Sequence, residues 1–302
     1  MRVLVTGVTG FVGPHLVRVL QDAGHEVAGT CHHEEAPGDQ VETHPVDLED
    51  REALRAVVAH ARPDRIAHLA GLSHVGTSWR QMGAYFRVNV LGTENVLAAA
   101  GKVPVVLASS AEVYGPVPEA EQPIGETRAL DPASPYALTK AAAERLVLAR
   151  QGTVARCFNL IGPGQAPQFA LPSFAGQLAA IEAGDAEAVL RVGNLEARRD
   201  FVAVEDGARA LCLLVERGEP ATTYQVATGR SRSIRELLDR LIGLTGLRVA
   251  IEVDPERLRP VDVPRLEGQA RRLRALGWTP SVTLDESLEA LWQATRSVPQ
   301  AG

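Results

Sequence analysis

Tyr136 and Lys140 stand four residues apart in Tyr136-Ala137-Leu138-Thr139-Lys140. On a helix that spacing puts a phenol and an ammonium on one face. A free tyrosine titrates near pH ~10, and a neighbouring cation favours its phenolate. The pair is therefore expected to lower the phenol's pKa and to exchange a proton near neutral pH. Ser110 follows the apolar run Val105–Ser109, at a strand end where its hydroxyl can hydrogen-bond a reacting oxygen. Of 31 basic residues only Lys102 and Lys140 are lysines. A compact, titratable ammonium differs physically from a planar guanidinium, so a lysine kept in an arginine-biased chain marks a position with a particular need. Lys102 lies in a Gly101-Lys102 turn and suits a solvated role. Tyr-x-x-x-Lys also arises by chance, as a surface tyrosine beside a solvated lysine. The scarcity of lysine and the strand-end Ser110 favour the chemical reading.

Gly7-Val8-Thr9-Gly10-Phe11-Val12-Gly13 lies between the first apolar run and the first helical pattern. Glycines there permit a tight turn and a close backbone approach to a pyrophosphate, while the helix start offers free N–H groups and a positive dipole end. A glycine-rich turn without a ligand would look the same in isolation; its place in a βα turn favours dinucleotide binding. Gly7, Gly10, Phe11, Val12 and Gly13 are the expected contacts. Hydride would then move to or from a nicotinamide while Tyr136 supplies or takes the proton. The second strand ends in Gly29-Thr30-Cys31-His32-His33-Glu34, without the acid that would grip both ribose hydroxyls. His32 or His33 could help hold a 2′-phosphate, so NADP is preferred to NAD. Asp47 and Leu48 are placed to meet the adenine, although Asp47 could instead cap the helix from Glu49. Leu69, Ala70 and Gly71, closing the fourth strand, are expected to line the cofactor.

The elements that must position these groups alternate. Val3–Thr6, Glu26–Thr30, Val41–Val46, Ile66–Ala70, Val105–Ser109 and Val154–Asn159 read as strands. Helical patterns cover Phe11–Ala23, Glu49–His60, Met82–Ala100 and Tyr136–Arg150. The pattern predicts an α/β fold with a Rossmann-type, doubly wound parallel sheet over residues 1–160, whose ligands sit at the carboxyl ends of the strands. Ile161-Gly162-Pro163-Gly164-Gln165 is a breaker cluster. Residues 161–302 then read as a smaller C-terminal α/β substrate domain, with a segment near 200–226 returning to the large sheet. Its expected elements are helices at Leu171–Ala183, Val204–Arg217, Ile234–Thr245 and Leu284–Thr295, strands at Val189–Val192 and Tyr224–Ala227, and a loop at Arg257–Pro264. Trp278 and Trp292 are expected in its core rather than as a stacking platform.

Composition excludes several classes. Hydrophobic residues are 45% and charged residues 23% of the chain, which is ordinary for a folded protein. A net charge of −6 disfavours a nucleic-acid partner. No run approaches the ~18 apolar residues of a membrane span, and Met1–Val5, soon broken by Gly7 and Gly10, reads as folded structure rather than a leader. Cys31, Cys157 and Cys212 are too few and too scattered for a disulfide framework or a zinc knuckle, which fits a cytoplasmic location. All eight histidines precede residue 75 and none shows H-E-x-x-H spacing, so no metal ligand set is expected.

The G-x-x-G-x-x-G loop, Ser109-Ser110-Ala111-Glu112-Val113-Tyr114-Gly115, Ser134-Pro135-Tyr136 through Lys140, and Arg199-Asp200-Phe201 together resemble the nucleotide-sugar enzymes of the extended short-chain dehydrogenase/reductase family. Phe158 through Gln165, Val192 through Phe201, and Arg259-Pro260-Val261-Asp262-Val263-Pro264 are similar, more narrowly, to its GDP-6-deoxy-D-mannose reductase branch. That resemblance covers nearly the whole chain. It implies NADPH-dependent reduction of a GDP-4-keto-6-deoxy-hexose to GDP-D-rhamnose or a related sugar, with Ser110, Tyr136, Lys140 and Glu112 in the catalytic set. It implies that Arg199 and Arg259 meet the nucleotide diphosphate, Asp262 the ribose hydroxyls, and Asn159 and Asn194 the substrate. Solvated ion pairs such as Arg199–Asp200 are the competing reading there. Leu160 stands where this family usually has histidine. The helices Met82–Ala100 and Tyr136–Arg150 imply a homodimer through a four-helix bundle. A 4,6-dehydratase or 4-epimerase of the same superfamily is the alternative, and a non-catalytic dinucleotide-binding protein a distant one.

Overall fold

The computed structural model describes residues 1–32, 41–258, 261 and 263–297. His33, Arg259 and Asp262, singled out above, lie outside the described residues.

The first half alternates strand and helix: β1 (Arg2–Thr6), α1 (Gly13–Asp22), β2 (Glu26–Cys31), β3 (Glu42–Pro45), α2 (Arg51–Ala61), β4 (Arg65–His68), α3 (Val75–Arg80) and α4 (Met82–Tyr85). A π-helical stretch, Phe86–Leu91, joins α4 to α5 (Gly92–Ala100), followed by β5 (Val105–Ser110), α6 (Pro135–Ala149) and β6 (Thr153–Cys157). Helix starts are set locally. The Asp50 carboxylate accepts the N–H groups of Glu52 and Ala53 to open α2, and the Ser134 hydroxyl accepts that of Ala137 to open α6, with Pro135 pre-set for the first turn. The chain continues through β7 (Asn159–Ile161), α7 (Ala170–Ala183), β8 (Val189–Val192), β9 (Arg198–Ala203), α8 (Val204–Arg217), β10 (Thr223–Val226), β11 (Ser231–Ser233), α9 (Ile234–Thr245), β12 (Ala250–Val253), β13 (Arg265–Leu266), α10 (Arg271–Ala275) and α11 (Leu284–Arg296).

Seven strands form one parallel sheet in the order β10-β6-β5-β4-β1-β2-β3. This is the expected Rossmann-type class. Alternate side chains of β1 serve opposite faces: Val3 and Val5 pack with Leu16 and Leu20 of α1 and Leu211 and Leu214 of α8, while Leu4 packs with Leu54, Val96 and Val147. The switch of connection direction at β1 and β4 opens a crevice above their carboxyl ends.

Phe158 marks the exit from that sheet. Its N–H still bonds the Val226 carbonyl at 3.0 Å, but the next residue, Asn159, pairs with Phe201 of β9 in a second, smaller sheet. The single strand expected over Val154–Asn159 is thus two strands in different sheets. The continuous helix expected over Met82–Ala100 is likewise interrupted by the π turn. Trp278 and Trp292 are both buried, but not together: Trp278 packs in the large-sheet core, donating to the Asp206 carbonyl, and Trp292 packs among α7 and α9.

Candidate active site

The glycine turn is shaped by exclusion of side-chain atoms. Gly7 has φ +76°, and a Cβ on it would lie 2.9 Å from the Ala70 Cα; a Cβ on Gly13 would lie 2.3 Å from the Val8 carbonyl oxygen. The turn is pinned to β2 by the Gly7 and Val8 N–H groups, both donating to the Thr30 carbonyl at 2.9 and 3.0 Å. No side chain caps the start of α1 and no acid occupies its first turn, with Pro14 in place. A helix start kept clear of side-chain oxygens beside a glycine cradle suits a pyrophosphate. Phe11 and Val12 are half-buried on its rim.

The other expected cofactor residues surround this cradle. Leu69 and Ala70 are tied to β1, donating to the Thr6 carbonyl and hydroxyl at 3.3 and 3.2 Å, and Gly71 follows. Asp47 is exposed and accepts the Glu49 N–H at 2.8 Å in a turn; the cap of α2 is Asp50. Leu48 is buried, and its carbonyl receives the Asn95 amide. His32 is exposed immediately beyond β2.

Tyr136 and Lys140 leave successive turns of α6 and are both buried. The Tyr136 ring stands edge-to-face with Tyr85 at 6.4 Å, and its hydroxyl lies near Ser110 at the end of β5. Ser110 also accepts the Glu112 N–H at 3.2 Å, opening a short 3-10 turn over Ala111–Tyr114. The Lys140 ammonium donates to the Ala108 carbonyl at 2.8 Å, and a Cβ on Gly71 would lie 3.7 Å from it. The sequence led us to expect a phenol made more acidic by Lys140. The opposite holds: burial raises the Tyr136 pKa, opposed by the Ser110 bond and reinforced by Glu112. Burial also brings Lys140 down to about 8. Withdrawal from water dominates both shifts, disfavouring the phenolate of Tyr136 and the ammonium of Lys140.

A polar scaffold absent from the sequence reading holds this set. His68 bonds Thr6 at 2.7 Å and Thr93 at 3.1 Å; burial, then Lys140, lowers it to about 3, so the imidazole is neutral. Asn89, in the π turn, donates to the Leu72 carbonyl and the Thr139 hydroxyl and accepts the Leu72 N–H, tying the loop after β4 to α6. The visible signal was a polar residue inside each apolar pattern. Glu144, one turn beyond Lys140, receives Ser109 at 2.6 Å and the Arg156 guanidinium at 2.7 Å, joining α6 to β5 and β6.

The expected substrate residues fall on the second sheet and its loops. Asn159 is half-buried at the seam between the sheets. Leu160 turns towards α8, where a Cβ on Gly207 would lie 2.8 Å from its Cδ2. Asn194 is exposed and accepts the Glu196 N–H at 2.9 Å. Arg199 is buried, and its Nη1 donates to the carbonyls of Val263 and Arg198 at 2.6 and 2.9 Å. It braces the segment leading into β13. Arg199–Asp200 is not a surface pair: buried Asp200 accepts Thr228, Gly229 and Gly268.

A Rossmann-type sheet whose glycine turn and Ser-Tyr-Lys set meet at the strand ends defines a dinucleotide-dependent enzyme of the short-chain dehydrogenase/reductase type. The chain belongs to the GDP-mannose 4,6 dehydratase family, whose model matches residues 4–291. It is 36% identical to the GDP-6-deoxy-D-mannose reductase of Pseudomonas aeruginosa, over 96% of this chain and 95% of that protein. Its fold superposes on RMD from Pseudomonas aeruginosa complexed with NADPH at a TM-score of 0.85 and 34% identity, covering 98% and 99% of the two chains. The UDP-glucose 4-epimerase of Thermus thermophilus, complexed with NAD, gives 0.89 at 31% identity, covering 99% and 100%.

Proposed function

We propose that this protein reduces the 4-keto group of a GDP-4-keto-6-deoxy-hexose, giving GDP-D-rhamnose or a related GDP-6-deoxy sugar. When bound, the reduced nicotinamide supplies the hydride. Tyr136 donates the proton to the sugar oxygen, Ser110 hydrogen-bonds that oxygen, and Lys140 sets a positive charge behind them. The observation that carries this reading is the placement of Tyr136 and Lys140, buried on successive turns of α6, with Ser110 at the end of β5 and the Lys140 ammonium beside Gly71 at the cofactor crevice, a set that can hand a proton to a ketone oxygen. A 4,6-dehydratase must in addition move a proton at C5 and expel the C6 hydroxyl. Glu112 is a candidate acid for that work, but its neighbour Ala111 is buried and carries no exchangeable proton. The relative that reduces a GDP-sugar supports the same choice.

Gly7, Gly10, Phe11, Val12, Gly13, His32, Asp47, Leu48, Leu69, Ala70 and Gly71 hold the dinucleotide in this proposal. NADPH is preferred to NADH, since Thr30-Cys31-His32 supplies no acid for the ribose, and one structural relative carries NADPH. Asn159 and Asn194 meet the substrate, Arg199 and Arg259 its diphosphate, and Asp262 its ribose. The enzyme works in the cytoplasm; among the described residues no helix is long and apolar enough to cross a membrane. Met82, Phe86, Leu91 and Leu138 expose apolar side chains along the α4–α6 region, which suits a homodimer joined through these helices.

A panel of nucleotide-4-keto sugars with NADPH or NADH, following loss of reduced cofactor, tests the reading. Stoichiometric NADPH consumption with the GDP-4-keto-6-deoxy sugar is expected. Formation of a 4-keto-6-deoxy product from GDP-mannose and NADP alone, without net cofactor consumption, would replace reductase by dehydratase.

A further inference from the structure

We propose that Glu42, His44 and His60 form a binding site for one divalent transition-metal ion of the zinc type. Glu42 and His44 are two apart on β3, so both side chains leave the same face of the sheet's edge strand. His60 comes from the last turn of α2 and reaches the Glu42 carboxylate. The Glu42 Oε1 lies 2.8 Å from His60 Nε2 and 3.5 Å from His44 Nε2, and the three ligand atoms all fall within 4.8 Å of one another. The two rings stand edge-to-face with centroids 5.3 Å apart. Two ligands of a tetrahedral zinc ion, each at about 2.1 Å, lie about 3.4 Å apart. Small side-chain rotations therefore bring this set onto one ion.

The second observation is an orphan. His44 Nε2 is shielded from water yet makes no hydrogen bond, although it faces a carboxylate oxygen. Buried polar atoms are almost always satisfied, and an exception points to an ion or water at the spot. A metal ion would use that lone pair. Two imidazoles and one carboxylate suit zinc-like ions and leave a position open, whereas magnesium and calcium prefer oxygen alone. His25, Cys212 and Glu216 also cluster, but no side-chain nitrogen or oxygen there is left buried without a partner, and burial raises the Cys212 thiol to about 11. Bound metal would pin the edge strand to the helix behind it.

Zn²⁺ titrated calorimetrically into the untagged full chain is expected to bind at one ion per chain and to raise the unfolding temperature. His60→Ala and Glu42→Gln, both at exposed side chains, should each weaken binding more than about tenfold and remove the thermal shift. Co²⁺ should give a spectrum without a thiolate charge-transfer band. Zn²⁺ affinity unchanged in His60→Ala overturns the proposal. So does a thiolate band that disappears in Cys212→Ser, which places the ion at the other cluster. An absence of binding up to millimolar Zn²⁺ reduces the group to an ion pair.

Discussion

Replacing Lys140 by Met should abolish turnover without destabilising the protein. The Lys140 pKa falls from 10.5 to about 8 because burial penalises its charged form. Below pH 8 both folded and unfolded chains hold the proton, and the full cost of burying the charge is present. At ~1.36 kcal/mol per pKa unit, (10.5 − 8) × 1.36 gives about 3 kcal/mol of destabilisation at pH 7. That cost is relieved as pH rises from about 8 to 10.5, where the unfolded state binds more protons than the folded one. Met fills a similar volume and carries no charge, but forfeits the bond to the Ala108 carbonyl, at a cost of about 1–3 kcal/mol. The balance lies between about 0 and +2 kcal/mol in favour of the Met variant, at pH 7 only. Denaturant unfolding of the cofactor-free protein at pH 7 and pH 10 measures it. A Met variant less stable than wild type by more than about 1 kcal/mol at pH 7 would refute the reasoning, since the ammonium would then have a stabilising partner.

Tyr136→Phe keeps the ring against Tyr85 and loses the proton, so turnover should fall by about 10²–10⁴ while NADPH titration shows binding within a few-fold. In the reductive direction kcat/KM should decline above about pH 8 as Lys140 deprotonates, whereas Tyr136 stays protonated; a profile flat to pH 10 would remove the Lys140 charge from the mechanism. Gly13→Ala forces a methyl to 2.3 Å from the Val8 carbonyl, so it should abolish detectable NADPH binding and lower the unfolding temperature. Glu144→Ala strands the buried Arg156 charge and should cost about 3–5 kcal/mol in denaturant unfolding, against less than about 0.5 for Glu52→Ala, whose partner Arg55 is exposed.

The sheet and the coenzyme class were legible because their signals are local. A strand, a glycine turn and a helix occupy consecutive residues, and the Tyr136–Lys140 spacing is a helical repeat. What escaped depends on distant pairings. Arg198-Arg199-Asp200 carries three charges in a row and gives no strand alternation, yet it forms β9 because Val263 and Thr228 carry acceptors and donors that meet it. Within the π turn at Phe86–Leu91, Asn89 accepts the N–H of Leu72, seventeen residues earlier. Burial, which reversed the expected shift of Tyr136, is a property of the packed molecule and has no counterpart in spacing.

The groups around Lys140 explain why that charge can act. His68 lies below the range in which it would be protonated, and burial raises Cys157 to about 12, so the imidazole and the thiol beside Lys140 are both neutral at pH 7. Tyr136 is neutral as well. Glu144, the acid on the same helix, is engaged by Arg156. Cys157 and Glu144 still favour the Lys140 charge, but burial outweighs them, in a site largely withdrawn from water. There a charge acts far more strongly than in bulk solvent. In the proposed reaction it stands behind a phenol whose oxygen becomes negative when the proton leaves for the sugar. The same ammonium that costs stability in the resting protein is thereby repaid at that moment, since phenolate and ammonium attract only once the proton has gone. A carboxylate paired with Lys140 would have made the fold more stable and weakened this difference.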